Sequence, residues 1–140
     1  MRLGGVVVPH DRELIGHSDA DVLLHAVTDA LLGAAALGDI GQFFPDTDPT
    51  NRGRDSAEML RTARDAVAAV GWRIANVDCI VFAQRPKLLP YRQEIRERLA
   101  AILGVESERV GLKGKTGEHV GPVGQEEVIE ALCVALLETA

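Results

Sequence analysis

The chain has 140 residues, the size of one domain, and carries a formal net charge of -6. Its basic residues are scattered and form no stripe, which excludes a nucleic-acid backbone as the main partner. Apolar residues make up 46% but aromatics only 4%, so the expected core is built from Leu, Val, Ile and Ala.

No stretch reads as a signal peptide or a membrane span. The longest apolar run, Val22 to Leu37, is interrupted by His25, Thr28 and Asp29. A cytoplasmic protein with no membrane partner is expected. Cys79 and Cys133 form no C-x-x-C pair and read as free, buried thiols.

Residues 1–140 read as a single domain without repeats or linkers. Gly4 to Val8 is predicted as a short strand ended by Pro9. Asp19 or Asp21 to Leu37 is predicted as a helix stopped by Gly38. Asp39 to Arg54, rich in Gly, Pro, Asp and Asn, reads as a loop. Met59, Leu60, Ala63, Val67 and Val70 recur at helical spacing and predict a helix over Ser56 to Val70, closed by Gly71. Trp72 to Ala83 is dense in β-branched residues and predicts a strand. A Pro-bracketed loop, Gln84 to Pro90, leads to a helix over Tyr91 to Leu103. Val110 to Lys113 is predicted as a strand entering a Gly-rich turn. Glu126 to Glu138 is ambiguous: propensity favours a helix, while partial alternation allows a strand. This order predicts an α/β sandwich with helices on one face of a mixed sheet.

The first helix is apolar nearly all round, yet Asp21, His25 and Asp29 stand at i, i+4 and i+8. That spacing puts them on one face, and burying them without partners is costly. The line is therefore expected to face a cleft, a metal or another chain. Plainer readings stand beside it. Ser18 and Asp21 fit a capping box, His25 fits a satisfied core histidine, and Asp29 fits a partner of an arginine. His17 and Ser18 precede a helix N-terminus, where an anion is favoured. Neutral imidazole is a preferred zinc ligand. Asp39, Asp46 and Asp48 lie beyond the far end of the helix, where an acidic loop is ordinarily just solvated.

Several ordered stretches are specific when taken together. They are His17-Ser18-Asp19-Ala20-Asp21-Val22, the run from Leu24 to Ala35, Leu37-Gly38-Asp39-Ile40-Gly41 and Phe44-Pro45-Asp46-Thr47-Asp48-Pro49. Downstream follow Ala83-Gln84-Arg85-Pro86-Lys87-Leu88 and Lys113-Gly114-Lys115-Thr116-Gly117-Glu118. Over nearly its whole length the chain resembles the 2-C-methyl-D-erythritol 2,4-cyclodiphosphate synthase family.

The resemblance implies an α+β domain, ferredoxin-like, with a mixed four-stranded sheet, helices on one face, and a homotrimer with active sites between subunits. It implies a phosphorus-oxygen lyase of the methylerythritol phosphate route to isoprenoids. The substrate would be 4-diphosphocytidyl-2-C-methyl-D-erythritol 2-phosphate and the products a cyclic 2,4-diphosphate and CMP. Two anions must meet, so charge screening is the main task. The family resemblance assigns it to zinc (or manganese) on one phosphate and magnesium or manganese across the diphosphate. It also tips Glu126 to Glu138 toward a strand.

By the same resemblance, His25 is a zinc ligand and Glu118 a ligand of the second ion. His17 and Ser18 are phosphate contacts. Asp39 holds the erythritol hydroxyls, with Asp46 and Asp48 on the substrate side. Ala83, Pro86, Lys87, Leu88 and Leu89 wall the cytosine pocket. Lys115 and Thr116 touch the CDP phosphates and, with Asp39, form the implied catalytic set. Asp21 and Asp29 are structural support.

Two departures stand out. The family opens with a strand carrying Asp-x-His, two further zinc ligands. Met1-Arg2-Leu3-Gly4-Gly5 resembles the segment after that motif, so a start downstream of the ligand strand is expected, with a sheet neighbour left unpaired. His10 and Asp11 are the nearby alternatives, placed in a turn. Second, Lys115-Thr116-Gly117 replaces the usual threonine run, and Gln125-Glu126 replaces Arg-Gly, removing a cation where the family places a phosphate on the trimer axis. His119 reads as exposed loop. A non-catalytic member that binds CDP or isoprenoid phosphates is the alternative. A metal-dependent phosphohydrolase is a third reading, argued from the Asp and His positions alone.

Overall fold

Two consecutive glycines decide the start of the chain. In the computed structural model, which describes residues 1–10 and 21–140, Gly4 and Gly5 have φ of 61° and 79°. Left-handed backbone at both positions reverses the chain. Arg2–Leu3 (β1) therefore pairs antiparallel with Val6–Val7 (β2), and the strand expected over Gly4 to Val8 is a turn and its return. A side chain at Gly4 would bring its Cβ within 2.4 Å of Ile95 Cγ2, so the turn packs directly on a helix.

One carboxylate ties this hairpin to the rest. Asp21 is fully buried and caps the helix α1, Val22–Ala34. Its Oδ1 accepts from the N–H groups of Leu24 (3.0 Å) and Gly4 (2.9 Å), and its Oδ2 accepts from Gly5 N–H at 2.8 Å. Amide donors at a helix start stabilise the charge that burial penalises. The helix ends three residues before the expected Leu37, because Ala36 is left-handed (φ 57°) and Leu37 N–H returns to Leu32 O.

The loop expected over Asp39 to Arg54 contains a four-residue helix, α2 (Ile40–Phe43), and a 3-10 turn at Pro49–Asn51. Then follow α3 (Ser56–Ala69), β3 (Trp72–Phe82), α4 (Arg92–Leu103), β4 (Val110–Lys115), a short α5 (Gly121–Gly124) and β5 (Glu130–Thr139). Left-handed Gly104 (φ 72°) closes α4.

Among the described residues the main sheet has three strands in the order β4-β3-β5, with the β1-β2 hairpin apart. Of the four strands expected in one sheet, the described residues supply three, and the Gly4-Gly5 reversal pairs the N-terminal residues locally instead. β3 runs parallel to β4, with Cys79 opposite Leu112, and antiparallel to β5, with Cys79 opposite Cys133. Val77, Cys79, Val81, Val110 and Leu112 face the helices and are buried. In β5, Ala131, Cys133, Ala135 and Leu137 pack on that core. Period-two alternation thus overrides the helical propensity of the segment. The two thiols stand 3.5 Å apart and are free. The contact with Cys133, then burial, pushes the Cys79 thiol far up, which keeps it protonated and inert.

The outer edge of β4 is covered by α4. Arg92 and Arg96, one turn apart, donate Nε–H to the carbonyls of Leu112 and Val110, both at 2.8 Å. Those bonds occupy edge acceptors that would otherwise invite another strand.

Replacing Asp21 by Ala is expected to destabilise the protein by about 2–4 kcal/mol, since the buried amides of Gly4, Gly5 and Leu24 lose a charged acceptor. Urea unfolding at fixed protein concentration should show a lower midpoint with the slope unchanged.

Candidate active site

Parallel pairing makes the C-terminal ends of β3 and β4 emerge side by side, the usual place for a ligand crevice in such sheets. The ladder continues one step beyond, with Ala83 N–H donating to Lys115 O at 2.9 Å. Between the two exits lies a cavity of about 310 Å³ lined by Ala83, Gln84, Pro86, Lys87, Leu88, Leu89, Arg92, Gly114, Lys115 and Thr116. All seven residues expected to meet a CDP group here, Ala83 and Pro86 to Leu89 with Lys115 and Thr116, are brought together. Ala83 and Leu88 are buried and form an apolar floor. Gly114 keeps it open: a Cβ there would stand 3.1 Å from Leu88 Cδ1. Lys87, Arg92 and Lys115 set three cations around one opening on a protein of net charge -6, so the local field favours an anion.

Past Thr116 the chain takes an uncommon path. Glu118 and His119 are both left-handed, with φ of 52° and 63°. Two adjacent side-chain-bearing residues in that region are unfavourable alone. Both backbone N–H groups are satisfied by residues of the cavity wall: Glu118 N–H donates to Thr116 Oγ1 and His119 N–H to Gln84 Oε1, each at 3.2 Å. Glu118 and His119 are exposed, and Glu118 lines neither cavity.

A second cavity, about 230 Å³, is lined by His25, Ile40, Gly41, Phe44, Asp46, Asn51 and Met59. His25 Nε2 is 2.9 Å from Ser56 Oγ at the start of α3. The polar line on α1 does not converge on one point. Asp21 turns to the hairpin, His25 opens on this cavity, and Asp29 Oδ1 accepts from Ile40 N–H at 2.7 Å, fixing α2. Of the three loop carboxylates, Asp46 lines the cavity. Asp39 caps α2 in a reciprocal capping box with Gln42, and Asp48 caps the 3-10 turn. His17, Ser18 and Asp11 lie outside the described residues; His10 ends the first described segment.

Among the described residues, no three His, Cys, Asp or Glu side chains come together as a metal set. His25 supplies one imidazole, and a zinc site takes at least three protein donors. The described residues alone do not fit zinc.

The sequence profile of the YgbB family matches residues 1–138. The chain belongs to the YgbB family. The 2-C-methyl-D-erythritol 2,4-cyclodiphosphate synthase of Dechloromonas aromatica is 56% identical over 136 residues, 97% of this chain and 85% of that protein. The synthase of the same description from Gemmatimonas aurantiaca is 53% identical over 137 residues, 98% of this chain and 82% of that protein. A solved 2C-methyl-D-erythritol-2,4-cyclodiphosphate synthase in its CDP-bound form is similar at a TM-score of 0.90 and 38% identity, covering 99% of this chain and 89% of that one. The family expected from the ordered motifs is thus the family found.

Within this YgbB-family chain, the sequence reading missed Gln84, Arg92 and Gly114 in the first cavity and Asn51, Phe44 and Met59 in the second. Arg92 and Met59 sit on helix faces that periodicity assigns to packing. Asn51 hides in a polar run, yet it is buried, donating to Pro45 O at 2.9 Å and accepting from Arg54 at 3.2 Å.

The Asp48 carboxyl is held below its usual 3.8, first by the Thr50 backbone N–H and then by the Thr50 hydroxyl. Its folded-state value is depressed, so its capping contribution is complete above 3.8 and fades as pH falls through the lower folded value. Thr50→Val keeps the N–H and loses the hydroxyl. The Asp48 midpoint, followed by carboxyl-carbon NMR, should then rise toward 3.8; an unchanged midpoint would refute the hydroxyl's role.

Proposed function

We propose that this chain converts 4-diphosphocytidyl-2-C-methyl-D-erythritol 2-phosphate to the cyclic 2,4-diphosphate with release of CMP, in keeping with relatives named for synthesis of that cyclodiphosphate. The observation that carries this reading is the first cavity: an apolar slot, lined by a backbone-rich loop, opening onto Lys115 and Thr116. Cytosine presents a flat apolar face and a polar edge. Ala83 and Leu88 suit the face, and loop backbone groups suit the edge. The diphosphate then reaches the mouth, where the Lys115 ammonium and the Thr116 hydroxyl are placed.

The reaction is an intramolecular phosphoryl transfer. An oxygen of the 2-phosphate bonds to the β-phosphorus, and the bond from that phosphorus to the bridging oxygen breaks with its electron pair leaving on CMP. The reactants are both anions, so fixed positive charge is the effect that lowers the barrier. Lys115 and Lys87, both lining the cavity, supply it. Thr116 accepts from Glu118 N–H and keeps its own hydroxyl proton for a phosphate oxygen. The enzyme class that follows is a phosphorus-oxygen lyase.

Asp46 lines the second, His25-side cavity, and Asp39 and Asp48 cap short elements that contribute to its lining; we assign all three to the erythritol side, with Asp39 in the catalytic set. His17 and Ser18 are assigned to its phosphate. His25 and Glu118 are the donors we assign to divalent ions, zinc or manganese and magnesium or manganese, each shell completed from outside the described residues. Such ions would add Lewis-acid polarisation of phosphate oxygens.

The working form proposed is a homotrimer with active sites between subunits. Its support is the sheet face opposite the helices, where Leu132, Val134 and Leu136 are 56%, 67% and 61% exposed in a row along β5. An apolar stripe of that kind marks a protein interface. Among the described residues no helix is long and apolar enough to cross a membrane, and the proposed location is the cytoplasm.

Incubation with the CDP-linked substrate should give equimolar CMP and cyclic product, followed by chromatography and phosphorus NMR. CDP binding without CMP release would instead assign the non-catalytic reading. Lys115→Ala should weaken CDP binding about tenfold or more by calorimetry, the loss of a charged phosphate contact. Gly114→Val should abolish it by filling the slot. Val134→Asp should dissociate the assembly in analytical ultracentrifugation, because it buries a carboxylate in the interface.

A further inference from the structure

We infer that Gln84 is a positioning residue, which locks the Glu118–His119 turn to the wall of the nucleotide cavity. The inference rests on the reading of that cavity as the nucleotide site, and it assigns a role to a side chain that motif reasoning leaves empty.

The bond at issue has only one polarity. A backbone N–H can donate and cannot accept, so the group of Gln84 facing His119 N–H at 3.2 Å is its carbonyl oxygen. Gln84 is half-buried, and it follows directly on β3, whose ladder is still closed at Ala83 by Lys115 O. Its backbone is therefore fixed by the sheet, while the turn it holds is not. That turn carries two successive left-handed residues, a conformation that persists only where surrounding bonds over-determine it. The first N–H is taken by Thr116 and the second by Gln84. Both acceptors also line the cavity. Beyond the turn, Gly117 and Gly124 are in close approach: a Cβ on Gly117 would lie 2.3 Å from Gly124 N. A second tether, the ion pair of Arg85 with Glu126, joins the same two segments. Three consecutive residues, Ala83, Gln84 and Arg85, thus clasp the segment from Lys115 to Glu126.

The consequence is geometric coupling. Glu118 is exposed and lines neither cavity, so its direction is set by the backbone it stands on. Without the Gln84 oxygen the pair loses one of its two side-chain acceptors. Glu118 then loses its fixed bearing on the phosphate end, while the base slot, built by Pro86 to Leu89, stays intact.

Two substitutions separate this from general loss of structure. Gln84→Met keeps length and volume and removes the acceptor. Gln84→Glu keeps an acceptor oxygen and adds a negative charge at the cavity. For Gln84→Met the expectation is a kcat lowered about tenfold or more, with KM within about twofold of the parent, because a misplaced group costs rate rather than binding. For Gln84→Glu the pattern is reversed: kcat close to the parent and KM raised, since the carboxylate repels an anionic substrate. Hydrogen exchange at the His119 amide provides a readout independent of turnover. Protection should fall in Gln84→Met and return in Gln84→Glu. Parent-like kcat and His119 protection in Gln84→Met would overturn the inference, as would equal impairment of the two variants. If the parent protein binds no CDP, the nucleotide reading fails, and His119 protection still judges the clasp by itself.

Discussion

The parallel pairing of β3 with β4 is the constraint on which the rest of this molecule turns. Residues Val77 to Phe82 lie in register with Val110 to Lys115. Both strands therefore release the chain at the same end and at the same height. Everything assigned to nucleotide chemistry hangs from those two exits. A shift of one residue would send Cys79 and Leu112 out of the core and reverse the direction of Lys115. The register is held because Val77, Cys79 and Val81 on one strand, and Val110 and Leu112 on the other, can be buried only in this alignment. Core packing and site geometry are the same requirement stated twice.

Charge is distributed to match. The chain is acidic overall, yet the cavity between the two exits gathers Lys87, Arg92 and Lys115. Arg92 serves two purposes: its Nε–H covers the Leu112 carbonyl on the sheet edge, while the residue lines the cavity. Such sharing is efficient but leaves little room for substitution by lysine. A lysine has no planar fork with which to hold the carbonyl and face an anion together.

Legibility in the sequence followed the physics of each element. The helix over Ser56–Ala69 and the strand Trp72–Phe82 were readable because their periodicity is strong and their neighbours demand nothing unusual. That Ala83 and Pro86 to Leu89 would gather with Lys115 and Thr116 around one cavity was legible through the family resemblance of those motifs. The N-terminal strand was misread because a Gly-Gly pair followed by three valines fits both an extended run and a turn. Only the packing of Gly4 against Ile95 decides for the turn. The end of α1 was misplaced because Ala36 adopts the left-handed conformation without being glycine. By spacing alone the polar line Asp21, His25 and Asp29 reads as one functional face, whereas the family resemblance gives Asp21 and Asp29 as structural support. In fact two of its members hold backbone amides of neighbouring segments, and spacing alone cannot distinguish a carboxylate that supports a site from one that enters it.

The two faces of the sheet pose a last physical question. One face is covered by α1, α3 and α4, and the main apolar cluster of the described residues lies there. On the other, Leu132, Val134 and Leu136 point outward from β5 beside an exposed ion pair of Asp78 with Lys113. A row of aliphatic side chains left in water costs free energy in proportion to its area, and an isolated domain gains nothing from it. A strand with alternate small residues inward and larger ones outward, as in Ala131-Leu132-Cys133-Val134-Ala135-Leu136, is patterned for contact on its outer side. The same substitution pattern that makes this face a poor surface makes it a good interior. The cavity at the β3 and β4 exits and the His25 cavity share no lining residue within one chain, and the homotrimer proposed above is the arrangement that would bring two such separate half-sites together.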